Sequence, residues 1–236
     1  ASDWSSDVCS SDLLRSTPGR MNKISINRRK KTMRRVICGI LCIVMMLGLA
    51  TTAFAAISGD EVKTYNTPFL ITNAGQGPGG KMARLLVSQT GTLTLDTDYF
   101  YDSEPGAEGH GNLDDMEYSC LVVVIGSTDK GLGASGITIE DELARLEKMV
   151  AKAKELEMPI VAVLLEKDKR SDISTNANER CIDAICPNAD WMIVVADGNK
   201  DGRFDALKEE YGIPLTVIDT TLDFTELAKQ AFVKAD

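Results

Sequence analysis

From Phe69 to the C-terminus the chain alternates between two patterns of apolar and polar residues. One is a short, continuous apolar run. FLIT (69–72), CLVVVIG (120–126), PIVAVLLE (159–166) and WMIVVAD (191–197) are of this kind, and PLTVIDT (214–220) is a shorter one with a polar end. Such runs, rich in β-branched residues and without polar alternation, predict strands covered on both faces. The other pattern is amphipathic at helical spacing. In TIEDELARLEKMVAKAKELE (138–157), Leu143, Leu146, Val150 and Ala153 form one stripe, with Glu147 and Ala151 on the solvated side. KMARLLVSQ, ANERCIDAIC, RFDALKEEYG and DFTELAKQAFVKA predict shorter helices, the third stopped by Gly212 and Pro214. TLTLDTDYFYD (92–102) predicts a further strand, and residues 102–117 read as a long acidic loop with a short helix at 113–118.

Alternating strands and helices imply crossover connections and therefore a parallel sheet layered between helices. The expected architecture is a single three-layer α/β/α domain over residues 56–236, mostly parallel, Rossmann-like or flavodoxin-like, with its core from about residue 67.

The N-terminal part follows neither pattern. Residues 1–20 repeat Ser-Ser-Asp without apolar periodicity and resemble translated adapter sequence rather than a protein element. Residues 21–55 read as a signal peptide: a basic NRRKKTMRR, an apolar VICGILCIVMMLGL, and an A-x-A site at Ala53 and Ala55. Export to an extracytoplasmic location, secreted or in the cell envelope, is the expectation. Any membrane association would run through an uncleaved signal segment.

Removing that leader changes the charge. The whole chain has a formal charge of −9, but residues 56–236 hold 17 Lys and Arg against 32 Asp and Glu, a charge of −15. Such a surface repels nucleic acid and anionic lipid, and favours cations or basic partners. Three cysteines remain, Cys120, Cys181 and Cys186, an odd number that is no disulfide framework. They read as small apolar core residues, with a bond from Cys120 to Cys181 or Cys186 as the alternative.

In folds of this class ligands bind beyond the carboxyl ends of the strands, so the loops after the apolar runs carry the candidate chemistry. GQGPGGKM (75–82) spells G-x-x-x-x-G-K, the core of a phosphate-cradling loop. Met82, however, stands where that loop needs a hydroxyl for magnesium, and Pro78 removes one amide. GLGASG (131–136) is a formal G-x-G-x-x-G displaced from its strand, a weak dinucleotide signal. DGNKDGRFD places Asp197, Asn199, Asp201 and Asp205 at the alternate positions of a calcium loop, with Gly202 at the turn, but without the closing glutamate. The competing reading makes Asn199 or Asp201 a cap for the next helix. His110, the single histidine, faces Asp114 or Asp115 as candidate partners, and no hydrolase motif accompanies it.

TPFLITNAGQGPGGKMARLL, LVVVIGSTDKGLGASGITIEDELAR and VVADGNKDGRF together resemble an uncharacterised family of secreted bacterial α/β domains. The resemblance implies an exported domain and supplies no activity. The expected function is therefore binding of a small polar or anionic ligand, or of a protein partner, at the strand carboxyl ends. Asn73, Gln76, Gly77, Lys81, Asp129, Lys130 and Asp197 would line that mouth. The rival readings are a hydrolase or transferase acting on a phosphorylated or acidic substrate, and a calcium-stabilised surface interaction module.

Overall fold

A computed structural model describes residues 57–234. The adapter-like segment and the signal segment lie outside the described residues. The strands are β1 (Ile57–Gly59), β2 (Tyr65–Asn66), β3 (Phe69–Ala74), β4 (Tyr99–Tyr101), β5 (Leu121–Ile125), β6 (Ile160–Leu164), β7 (Trp191–Val195), β8 (Leu215–Ile218) and β9 (Phe232–Val233). The helices are α1 (Gly79–Ser88), α2 (Asp129–Ala134), α3 (Ile139–Glu155), α4 (Ala177–Ile185), α5 (Arg203–Tyr211) and α6 (Phe224–Ala231).

Seven strands form one sheet in the order β1-β8-β7-β6-β5-β3-β4, parallel throughout except for the antiparallel β1 edge. Counted from β3, the order is second, first, third, fourth, fifth, the flavodoxin-like arrangement, extended by β8 and β1. The direction of winding reverses between β3 and β5, so the switch point lies between the end of β3 at Ala74 and the end of β5 at Ile125.

The five central strands are buried on both faces, as their continuous apolar runs require. One core joins Val123, Ile125, Leu164 and Val194 to Leu146 and Val150 of α3, Ile182 of α4 and Phe204 of α5. The opposite core joins Val122, Val124, Val163 and Trp191 to Leu86 of α1 and to Phe224 and Leu227 of α6. Trp191 donates its indole N–H to Thr216 Oγ1 at 2.9 Å, which satisfies the one polar group of a fully buried side chain.

The structure departs from the sequence expectation at three places. Residues 113–118 form turns and bends rather than a helix, in a loop where Asp115 accepts the Asn112 amide at 2.7 Å and Asp102 accepts the Gly111 amide at 3.0 Å. Residues 129–134, expected as loop, form the short helix α2, capped by Thr128 Oγ1 on the Gly131 amide at 3.0 Å. The last helix stops at Ala231, and Phe232–Val233 pair with β2 in a separate parallel ladder. Cys120, Cys181 and Cys186 are free and buried, and burial pushes the thiols of Cys181 and Cys186 up to about 12.

Candidate functional site

The loop 75–80 leaves β3 at the switch point. Gly75 sits at φ +95°, a region closed to most side chains. Its amide donates to Oε1 of Glu142 at 2.6 Å. Glu142 is fully buried on α3 and held by Arg145, which bonds its carboxylate at 2.6 and 3.0 Å and also the Asn73 carbonyl at 2.9 Å. A carboxylate of the chain itself therefore occupies the amide that an incoming anion would use. The first turn of α1 is treated likewise: Asn73 Oδ1 accepts from the Gly80 amide at 2.8 Å. Two amides of the phosphate-loop spelling at 75–82 are thus taken by side chains of the chain itself.

Gly77 lies against the turn that leaves β5. A Cβ at Gly77 would fall 2.3 Å from the Gly126 carbonyl oxygen, a backbone atom with no rotamer to escape through. Gly77→Ala should cost about 1–3 kcal/mol through overpacking. Urea unfolding should register this as a lower midpoint at unchanged slope.

Across the same turn stands Glu166, just beyond β6. Would-be Cβ atoms on Gly77, Gly79 and Gly126 would lie 3.4, 3.3 and 2.8 Å from its Oε1. Three glycines thus make room for one carboxylate oxygen, which has no hydrogen-bond partner. Its Oε2 lies 3.7 Å from Lys169 Nζ. Burial pushes the Glu166 carboxyl above its ordinary range, partly offset by Lys169. Among the described residues two other buried side-chain atoms are unpartnered, Ser127 Oγ and Asn178 Nδ2. All three flank residues 126–127, since Asn178 Oδ1 accepts from the Ser127 amide at 3.1 Å. Buried orphans are rare in folded proteins, and their gathering at the carboxyl end of β5 marks this rim.

Glu166 also borders a cleft of about 360 Å³ beyond the ends of β6, β7 and β8. Met82, Leu165 and Val195 supply its apolar lining, and Glu166, Asp168, Asp197 and Asp219 its acidic one. Lys167 is engaged by Asp197 at 2.5 Å, and Lys200 reaches the same carboxylate at 2.8 Å. Together they hold the Asp197 carboxyl down to about 2. Asp168 and Asp219 have no ion-pair partner among the described residues. A larger cleft of about 690 Å³, lined by residues including Asp60, Lys208 and Pro214, lies at the amino end of β8 and holds none of the orphaned atoms.

The residues expected to share one mouth separate into different roles. Asn73 turns its polar atoms inward, to the Gly80 amide and to the Tyr101 hydroxyl at 3.2 Å. Gln76 bridges two loops, donating to Glu104 at 2.9 Å and accepting from Ser135 at 3.4 Å. Lys81, Asp129 and Lys130 are exposed. Lys81 follows β3 and Asp197 follows β7, strands three places apart and so about 14 Å from axis to axis. Of the seven, Gly77 packs against the Glu166 oxygen and Asp197 lines the cleft.

The calcium-loop residues are also dispersed. Asp201 is gripped by Arg170 at 2.6 Å, while Asn199 bonds Asp205 and caps the Phe204 amide at 2.9 Å. Among the described residues no group of three His, Cys, Asp or Glu side chains is arranged to hold a metal. The capping reading of Asn199 is what the geometry displays. His110 pairs with Asp102 rather than with Asp114 or Asp115, and so ties the long loop to itself.

The residues missed in the sequence are Ser127, Glu142, Glu166 and Asn178. Glu142 falls on the helical stripe itself, in register with Leu146, Met149 and Ala153, so its spacing pointed inward and only its charge hid it. Glu166 had a signal: it is the acid that ends an apolar run.

No curated protein matches the chain. A family model matches residues 66–232, which include every strand of the parallel core and the whole rim, and the chain accordingly belongs to the family described as Domain of unknown function (DUF6305).

Proposed function

We propose that this is an extracytoplasmic binding domain, delivered by its basic and apolar leader, that holds a small amine-bearing molecule in the cleft beyond β6, β7 and β8. The observation that carries the reading is the Glu166 oxygen, buried, unpartnered and bordered by three glycines at the edge of that cleft. An ammonium group would supply the missing donor. The residual charge favours the same class, because the one lysine of the lining is already engaged by Asp197 while Asp168 and Asp219 are not matched. Met82, Leu165 and Val195 would cover a short aliphatic body. A volume of about 360 Å³ suits a metabolite rather than a polymer. The acidic lining and the self-occupied glycine loop weigh against an anionic ligand and against a phosphorylated substrate.

Putrescine, butanediol and succinate, matched in length and different in charge, test this by thermal shift on the full chain. Putrescine should stabilise by about 2.7 kcal/mol at a hundredfold excess over its Kd, and Glu166→Gln should abolish the effect. Equal shifts with succinate, or an undiminished putrescine shift in the variant, would overturn the proposal.

Glu166→Gln carries its own expected result in the absence of ligand. A carboxyl whose folded pKa is raised contributes most at low pH and loses that contribution as pH rises through the folded value. The variant should therefore be more stable than the parent at neutral pH. The difference should vanish below the ordinary glutamate value of 4.5. Unfolding midpoints measured across that window check it.

A further inference from the structure

We propose that the cleft between α3 and the loop leaving β4 binds a carboxylate carried on a short aliphatic body, separately from the amine reading and independently of it. The cleft exists where a crossover lacks its helix. The connections β3–β4, β5–β6, β6–β7 and β7–β8 all carry helices, and β4–β5 carries none. Because the winding reverses at the switch point, that connection passes over the face of the sheet that α3 covers. Leu113 enters the core there together with Leu146 of α3. Between residues 105–114 and α3 a cleft of about 690 Å³ is left, within the range of small-molecule sites.

The wall formed by α3 is basic. Arg145, Lys148 and Lys152 recur at intervals of three and four, which places them along one edge of the helix. This reverses the sign of a domain whose charge over residues 56–236 is −15. Two acids also line the cleft, and both are engaged. Asp114 pairs with Lys152 at 3.0 Å, and Asp141 accepts from the Thr138 amide and hydroxyl at 2.9 and 2.7 Å. Lys148 has no ion-pair partner among the described residues. One turn away, Arg145 directs Nε and Nη2 to Glu142 and to the Asn73 carbonyl. Its Nη1 meets only the Met149 thioether at 3.9 Å, a weak acceptor. Glu142 balances the Arg145 charge, so Lys148 supplies the attraction and Arg145 Nη1 the directed donors. An oxyanion satisfies both, whereas an amine would be repelled by Lys148. Pro105, Leu113 and Met149 offer cover to an aliphatic tail. Succinate, charged at both ends, gains nothing from that lining.

Isothermal titration of the full chain with hexanoate tests the site. Hexanoate should bind, and hexanol, its uncharged counterpart, should not. Lys148 is exposed, so Lys148→Gln removes the attraction without disturbing the core. It should weaken hexanoate binding about tenfold, the loss of one charge-assisted contact. Glu166→Gln, the variant that tests the amine reading, should leave hexanoate binding unchanged. Absence of binding up to about 10 mM, where a millimolar Kd would register, overturns the proposal. So does equal binding of hexanol or an undiminished affinity in Lys148→Gln. A loss of hexanoate binding in Glu166→Gln would place it in the other cleft, with the same consequence.

Discussion

Glu179→Ala should lower the unfolding free energy by about 3–5 kcal/mol, the range found when one partner of a buried ion pair is removed. Glu179 is 0% exposed on α4 and is the centre of a network, not a member of a simple pair. Arg170 meets its carboxylate at 2.8 and 3.3 Å, the Ser171 amide donates to it at 2.9 Å, and Arg203 bonds it from α5. Arg170 also lies over the Phe204 ring and grips Asp201. Removing the carboxylate takes away the acid that the two guanidinium groups share, leaving Arg170 only Asp201 and Arg203 only Asp183, both half-exposed or more, as counter-charges. The melting temperature should fall by about 6–20 °C for a domain of this size. Because this network fastens residues 167–171 to residues 198–203, the Lys167–Asp197 side of the cleft should loosen with it. Calorimetry of the parent and variant checks the first claim. A loss of less than about 1 kcal/mol would mean that the pair behaves as a solvated surface contact.

Glu142→Ala should be comparably damaging, again about 3–5 kcal/mol, by a different route. Its carboxylate serves Arg145 and the Gly75 amide together, so truncation strands a charge and a backbone donor in one step. Gly75 holds its left-handed conformation at the end of β3, and the Glu142 bond is part of what keeps the loop there. Hydrogen exchange of the Gly75 amide should accelerate by orders of magnitude more than that of α6 amides, whose helix lies on the opposite face. Uniform acceleration throughout the domain would show that Glu142 supports the whole fold rather than this loop. Glu142→Gln separates the two losses, since it can still accept from Gly75 while giving up the charge.

The layered architecture was legible in the amino-acid sequence because burial on both faces demands unbroken apolar strands. FLIT, LVVVI, IVAVL and WMIVV each became a central strand for that reason. α3 was legible from its stripe, on which the charge of Glu142 hid a buried position. Local signals also offered Asn199 or Asp201 as a cap, and each accepts an amide at the start of α5.

The candidate site was much less legible, and the cause is distance along the chain. Gly75 and Glu142 are 67 residues apart, Ser127 and Asn178 51, Lys167 and Asp197 30. No periodicity or spacing rule reaches across such intervals. The loop motif at 75–82 misled for the same reason: glycines permit a backbone to approach an anion, but which anion arrives is decided by whatever the fold brings near. Here that is a glutamate from α3.

The sequence by itself determined the class of fold, the alternation of elements and the acidity of residues 56–236, because these depend on composition and on contacts within a few residues. Only the tertiary structure decided the strand order, the switch point between β3 and β5, the burial of Glu142, of Glu179 and of one Glu166 oxygen, and the gathering of three unpartnered polar atoms around residues 126–127. Burial of a charge is a property of everything packed around it, and that neighbourhood exists only once the sheet has closed its order.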